Sequence, residues 1–259
     1  MINKLAVIDK SAVIEDGVEI GPYTVIGEGV TIKTGSVIGA NVYIEHAEIG
    51  KNCRIFNSAS VGTAPQDLSY KGEPSKTVIG DGTVLREFVT VNRGTAKTGR
   101  TTVGKNCLFM VSTHVGHDCK VGNNVILTNC SCLAGHVEVG DNAFISAMSA
   151  VHQFTRVGRD TMTAAATIIT MDTLPFTLCY GGSTGNRAVI NGLNLVGMKR
   201  RAMKKDDIEE IKKAYKILFS SKLLLKEAVA ELEKNDSPYV KEIADFIKTS
   251  KRGIARPGN

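Results

Sequence analysis

Tryptophan is absent from the 259 residues, proline occurs six times, and the aromatics are limited to eight Phe and six Tyr. The core cannot rest on large rings, and Ile, Val, Ala and Thr carry much of an apolar content of 42%, too high for a disordered chain. The six cysteines (Cys53, Cys107, Cys119, Cys130, Cys132, Cys179) form no CxxC pair. This argues against a sulfur-ligated zinc site and a disulfide scaffold, and predicts buried free thiols in a reducing compartment. No run of about 18 apolar residues exists to span a bilayer. The stretch Leu5 to Ile8 is too short for a signal-peptide core. A soluble, cytoplasmic protein without an integral membrane segment is expected. Strong charge of one sign is also missing: 32 Lys plus Arg against 26 Asp plus Glu give a net +6. The excess lies mostly after residue 198 and is too mild to imply a nucleic-acid partner.

What the chain does contain is a repeat. Aliphatic residues recur every six positions at Ile8, Ile14, Ile20, Ile26, Ile32, Ile38 and Ile44, slip by one to Ile49, and resume at Ile55 and Val61. The frame is lost at Asp67 and Glu73, returns at Ile79, Leu85 and Val91, and fails at Lys97. From Val103 it runs through Phe109, Val115, Val121, Leu127, Leu133, Val139, Ile145, Val151 and Val157 to Ile169, with Thr163 in one place. Neither a helix of period 3.6 nor simple strand alternation produces a hexad over such a length. Short strands with regular corners do. Gly often follows the aliphatic (Gly27, Gly39, Gly104, Gly116, Gly122, Gly140, Gly158), where positive φ is expected at the corner. Four residues after it stands something small or β-branched, which suits a tapering interior. Three hexads make one turn, a triangular coil stacked on the next by parallel strand pairing.

The two breaks predict excursions near residues 62–77 and 92–101, and loops on a rigid solenoid are natural sites of function. After Arg187 the pattern becomes helical. Asp206 or Asp207 is expected to cap one helix, Ser221 to start a second, and Ser237 with Pro238 to open a third. The division is therefore a solenoid over 1–187 and a helical module over 188–259.

Four of five histidines, His114, His117, His136 and His152, fall close together in the chain. Val115, Leu133 and Val151 are separated by three hexads each, so His117, His136 and His152 belong to one corner of three successive coils. Asp118 stacks on His136, and Gly135 on His117. Two chemistries fit such a corner. A histidine near neutrality can act as general base with Asp118 orienting it and the Gly135 amide receiving an oxyanion. Alternatively three imidazoles can hold a hydrolytic zinc ion, as in γ-type carbonic anhydrases.

The hexads resemble those of the hexapeptide-repeat acyltransferases, which implies a mainly β fold, a left-handed parallel β-helix of triangular coils with a C-terminal α-helical domain. The hand comes from the resemblance, since parallel crossovers are generally right-handed. APQDLSYKGEP, HVGHDC at 114–119, LAGHV at 133–137, AVHQF at 150–154 and GMKRR at 197–201 are similar to the UDP-N-acetylglucosamine O-acyltransferases that begin lipid A synthesis. That resemblance implies His117 as the base on the sugar 3-hydroxyl, Asp118 as its support and Gly135 as the oxyanion amide. It implies substrate contacts from His114, His136 and His152, with Gln66 and Asp67 on the sugar or pantetheine side. Gln153, Asn194, Arg200 and Arg201 fall on the nucleotide side, and the last two suit a diphosphate because guanidinium forks pair with phosphate oxygens. Ala165 is implied in acyl-chain selectivity, with the small Ala164, Ala165 and Ala166 favouring a longer hydroxyacyl chain. No metal and no cofactor is implied, the donor being carried on the phosphopantetheine of acyl carrier protein. Lys199 to Lys205, or Lys248, Lys251 and Arg252, would attract that acidic partner. A homotrimer with sites between subunits is implied as well. Val196 and Ser69 depart from residues found in some relatives. The other readings are the zinc anhydrase and another hexapeptide acyltransferase using acyl-CoA.

Overall fold

The chain, described over residues 1–181 and 187–258 in a computed structural model, follows the hexads closely. Most strands are two residues long, such as Val7–Ile8, Val13–Ile14 and Glu19–Ile20, and each ends on the periodic aliphatic. They assemble into three sheets of nine, eight and ten strands, the three faces of a prism. Partners are one full coil apart in sequence, as in Val7 with Val25 and Leu133 with Val151. The slip before Ile49 shortens one step, so that Ile49 pairs with Ile32.

The aliphatics point inward and are sealed: Ile32, Ile44, Leu85, Phe109, Leu127 and Leu133 have no exposed surface. Burying each such side chain is worth about 1.5–3 kcal/mol. The small residue four places on also points inward and satisfies the neighbouring coil. Thr24 donates to the Gly39 carbonyl at 2.6 Å, Ser36 to that of Gly50 at 2.8 Å, and Thr83 to that of Gly104 at 2.9 Å. Cys107 and Cys119 do the same toward Gly122 and Ala134 at 3.2 and 3.1 Å. Thiols in this ladder are therefore minor donors as well as filler. Cys130 is an exception to the expected burial, being exposed, and Cys132 is half-buried.

The corner glycines are needed for a different reason from the one expected. Positive φ falls three residues after the aliphatic, at Asn106, Asp118, Asn124, His136 and Asn142 among others. The glycine one residue after it is required by close stacking: a Cβ on Gly104 would stand 2.4 Å from the Gly122 carbonyl oxygen. The left-handed backbone of Asp118 and His136 thus belongs to the general corner pattern and is not strain peculiar to them.

Both excursions leave the prism between its first and second faces, spanning residues 64–75 and 93–99. Strand partners across them are correspondingly farther apart in sequence than one coil (Ser60 with Thr90, Thr90 with His114). The first and second faces meet at the first corner, the second and third at the second corner, and the third and first at the third corner.

The expected helical module starts later than residue 188. Ala188–Leu193 forms a strand antiparallel to Thr177–Gly181 and extends the third face, with Ile190 and Leu193 packed in a core shared with the helices. Helices follow at Leu195–Arg200 (α1), Lys205–Ser220 (α2), Leu225–Leu232 (α3) and Pro238–Lys248 (α4). Asp206 and Asp207 lie in the first turn of α2, favoured there by the helix dipole, while Lys204 holds the cap position. Ser221 ends α2 instead of starting α3, whose first turn is fixed by Glu227 accepting from the Leu224 N–H. Ser237 and Pro238 open α4 as expected, without a side-chain cap bond. A second apolar core joins these helices to Leu174 and Phe176 and to Ile190 of the antiparallel strand. Among the described residues no helix is long and apolar enough to cross a membrane.

Candidate active site

Regular stacking brings His117, Asp118, Gly135 and His136 together at the first corner. The His117 Nδ1–H donates to Asp118 Oδ2 at 2.7 Å. An ionised carboxylate only accepts, so this contact puts the proton on Nδ1 and leaves the Nε2 lone pair free. Gly135 covers that ring so closely that a Cβ there would meet Nε2 at 2.5 Å. Among the described residues its N–H has no hydrogen-bond acceptor. The rings of His117 and His136 meet edge to face at 5.1 Å, and His136 stacks on Phe154 at 4.5 Å.

Asp118 is the most enclosed member, its side chain having no exposed surface. Oδ1 accepts from the Thr95 N–H at 3.0 Å and from the Thr98 hydroxyl; Oδ2 accepts from the Thr95 hydroxyl at 2.8 Å and from His117. Burial pushes the carboxyl pKa up, but the bonds from His117, Thr98 and Thr95 outweigh it and hold the group below its ordinary range. Burial depresses His136, with Asp118 opposing and Lys97 adding to the effect. His114, on the adjoining strand, is likewise depressed by burial and then by His117, and its Nδ1 lies 2.7 Å from the Thr90 hydroxyl.

The first excursion folds back along the same corner and places Asp67 4.0 Å from His117 Nε2. Ser69, the residue that departs from some relatives, donates its N–H and hydroxyl to Asp67 at 2.8 Å each. These bonds, the backbone one first, keep the Asp67 carboxyl low. Arg93 fixes the loop from below, donating to Glu45 at 2.8 Å, to the Gly62 carbonyl at 2.9 Å and to the Tyr70 hydroxyl at 3.1 Å. Gln66 is exposed beside Asp67.

The other expected residues are more scattered. His152 and Gln153 sit at the same corner one coil on, but are exposed, and among the described residues the His152 ring has a single hydrogen-bond partner, the Gln153 carbonyl at 3.1 Å. Three imidazoles therefore do not converge on one point, and each oxygen of Asp118 already accepts two bonds. Asn194 caps α1, accepting from the Gly197 N–H at 3.0 Å and donating to the Asp160 carbonyl at 2.8 Å. Arg201 donates to Asp160 and to the Asn142 carbonyl. Both are spent anchoring α1 to the second corner, whereas Arg200 beside them is exposed. Ala165 is exposed at the third corner. Within one chain, then, Gln153 shares the corner of His117, whereas Asn194, Arg200 and Arg201 lie at the second corner and Ala165 at the third.

Sequence reasoning missed Thr95, Thr98, Lys97, Arg93 and Phe154. Phe154 was recoverable, standing one coil after His136; the loop residues follow no stacking rule. Beside Asp118, His136 and Phe154 opens a cavity of about 970 Å³ whose rim includes Lys97, Arg100, Lys120, Lys251 and Arg252. Among the described residues none of these five makes a salt bridge.

Known proteins of similar sequence share this fold. Residues 172–255 match the description "Udp N-acetylglucosamine O-acyltransferase; Domain 2", 2–34 and 11–46 match "Bacterial transferase hexapeptide (six repeats)", and 100–129 match "Hexapeptide repeat of succinyl-transferase". Acyl-(acyl-carrier-protein)–UDP-N-acetylglucosamine O-acyltransferases are 43% identical in Herminiimonas arsenicoxydans, over 99% of both chains, and 44% identical in Thermodesulfovibrio yellowstonii, over 98% and 99%. The solved UDP-N-acetylglucosamine acyltransferase of Francisella novicida superposes with a TM-score of 0.96 at 40% identity, covering 100% of this chain and 95% of that one. That of Bacteroides fragilis gives 0.94 at 40%, covering 99% and 100%. With its left-handed β-helix of hexapeptide repeats and C-terminal helices, the chain belongs to the acyl-(acyl-carrier-protein)–UDP-N-acetylglucosamine O-acyltransferase family.

Proposed function

We propose that the protein transfers an (R)-3-hydroxyacyl chain from acyl carrier protein to the 3-hydroxyl of UDP-N-acetylglucosamine, the first step of lipid A synthesis. The observation that carries this reading is the His117 imidazole, held at Nδ1 by a buried carboxylate and presenting Nε2 beneath Gly135. Nε2 takes the proton from the sugar hydroxyl as its oxygen attacks the thioester carbon. The oxyanion formed is received by the unpaired Gly135 N–H. Collapse of the intermediate breaks the carbon–sulfur bond, and the imidazolium returns its proton to the departing phosphopantetheine thiolate. Ester and free carrier thiol are the products, with atoms and charge balanced and no metal or cofactor involved. His114, His136, Asp67 and Gln66 line the sugar and donor side. The unpaired cations around the neighbouring cavity suit the phosphate and acidic surface of the carrier.

Arg200, supported by Asn194 and Arg201, faces the nucleotide of a site completed by a second copy. Surface chemistry supports this arrangement. The third corner exposes Tyr23, Phe88 and Met148, all at positive φ, where the second corner uses Asn106, Asn124 and Asn142. Outward residues of the third face stack as Leu108, Ile126, Phe144 and Met162, whereas the second face carries Lys120, Glu138 and Arg156. Burying the apolar third corner on a threefold axis lays the first face of each copy against the third face of the next. The first corner of one then abuts the second corner of its neighbour, joining His117 to Arg200. Gln153 and His152 lie on that seam, and Ala165 lines the inner end of the groove, where an alanine leaves room for a longer acyl chain.

Incubating the protein with UDP-N-acetylglucosamine and (R)-3-hydroxyacyl carrier proteins of several lengths, before and after exhaustive chelation, tests the reading. An O-acylated sugar nucleotide of the corresponding mass should form in both cases. Activity abolished by chelation and restored by zinc would favour the anhydrase chemistry instead, and transfer from acyl-CoA in preference to the carrier would favour a different transferase.

A further inference from the structure

The second excursion has no part in the chemistry just derived, yet it reaches the best-buried group of the site. Three of the four bonds that satisfy Asp118 come from this loop: the N–H and hydroxyl of Thr95, at 3.0 and 2.8 Å, and the hydroxyl of Thr98. The corner beneath adds a fifth constraint, the Asp118 N–H donating to the Thr101 hydroxyl at 2.8 Å. Thr95 is itself tucked in, 8% exposed, and its hydroxyl also accepts from the Lys97 N–H at 3.3 Å. No backbone strand contact requires this arrangement, since the strands on either side of the loop are paired independently of it.

Building on the proposed reaction, we infer that the 93–99 loop is a strap that sets the position and charge of Asp118. Thr95 and Thr98 are positioning residues for the His117 base. A carboxylate whose oxygens each accept two bonds has one orientation available, and that orientation fixes the imidazole. The same donors stabilise the ionised form, so the carboxylate that supports the ring stays charged to lower pH than it otherwise would. Other charged and titratable groups face the dyad: His136 Nε2 at 3.6 Å from Asp118, Asp67 at 4.0 Å from His117, His114 on the strand before, and Lys97 in the strap itself. None of them replaces the hydroxyl donors, because among the described residues the carboxylate oxygens accept hydrogen bonds from Thr95, Thr98 and the His117 ring alone.

The test is the pH dependence of kcat/KM for the full-length enzyme carrying Thr95→Val, Thr98→Val, or both, with Thr95→Ser and Thr98→Ser as conservative partners. Valine keeps the branched shape and removes the hydroxyl. Each valine variant should lower kcat about tenfold and move the acid limb of the profile to higher pH by roughly one unit, the effect of one bond to a charged group. KM for the sugar nucleotide should hardly change, and the serine variants should recover rate and profile together. Thr98→Val keeps the test usable should Thr95→Val not fold, since Thr98 lies on the exposed part of the loop. A rate loss with an unmoved profile, or serine no better than valine, would show that the loop merely packs. Wild-type rates in Thr98→Val and in the double variant would dismiss the strap. Absence of transfer in the unmodified enzyme would instead strike the proposed reaction and is read separately.

Discussion

Replacing His117 with alanine is expected to lower kcat/KM for acyl transfer about 10³-fold, the usual contribution of a positioned general base. The fold should persist. The ring contributes no apolar core, and the corner it occupies is held by the backbone bond from the His136 N–H to the His117 carbonyl at 2.9 Å, which alanine keeps. Thioester cleavage followed by release of carrier thiol, together with circular dichroism, reads both halves of the expectation. A variant retaining activity within tenfold of the parent would mean that another group takes the proton. His136 is the nearest alternative, but burial disfavours its charged form and its Nε2 sits 3.6 Å from the same carboxylate, so it lacks the hydrogen-bonded support that His117 has.

Gly135→Ala is the second change with a large expected effect, although the substituent is a single methyl group. The added Cβ would lie 2.5 Å from Nε2 and 2.6 Å from Cε1 of His117, well inside contact distance. Gly135 has no need of positive φ, so the backbone accepts alanine and the ring must move instead. Moving it breaks the 2.7 Å bond to Asp118 and fills the space where the reacting oxygen would sit. The expected result is a fall in kcat of at least about 10²-fold, comparable with losing an oxyanion donor. Because the displaced group is a partly exposed side chain, the melting temperature should shift by only a few degrees, about what ~1 kcal/mol does to a protein of this size. Near-normal activity in Gly135→Ala would show that the ring does not work beneath this residue.

The prism was readable from the sequence because its period is rigid: each aliphatic from Ile20 onward falls on an inner edge, and Asp118, Gly135 and His136 meet by counting three hexads. Two kinds of information were not. Handedness and the position of the positive-φ residue depend on local backbone sterics that a hydrophobic pattern does not encode, so the corner glycines were expected to turn when in fact they make room. Contacts from the excursions were equally hidden, since a loop that leaves the stack obeys no period; Thr95, Thr98 and Arg93 look like ordinary polar residues until the chain folds back. The strand at Ala188–Leu193 escapes the pattern for a related reason: its pairing with Thr177–Gly181 and the packing of Ile190 and Leu193 against the helices are tertiary contacts that no period announces. His152 shows the limit of counting in the other direction. It shares the corner with His117, yet one position of offset leaves its ring outside the cluster, which removes the three-imidazole arrangement.

The same offset logic separates the site into edges. His117 and Asp118 occupy the first corner, Arg200 the helix anchored at the second, and Ala165 the third, so the proposed base, nucleotide contact and chain-length residue stand on three different edges of one copy. Transfer by the proposed route therefore requires each site to be completed by a neighbouring copy. Complementation measures this directly. His117→Ala and Arg200→Glu are to be purified separately, shown to be weakly active, then unfolded, mixed in equal amounts and refolded together. If base and nucleotide contact come from different copies, random mixing restores both intact residues in about a quarter of the sites, and activity should rise toward that fraction of the wild-type value. If the mixture is no more active than the average of the two variants, base and guanidinium serve one site within a single chain, and the shared-corner arrangement is wrong.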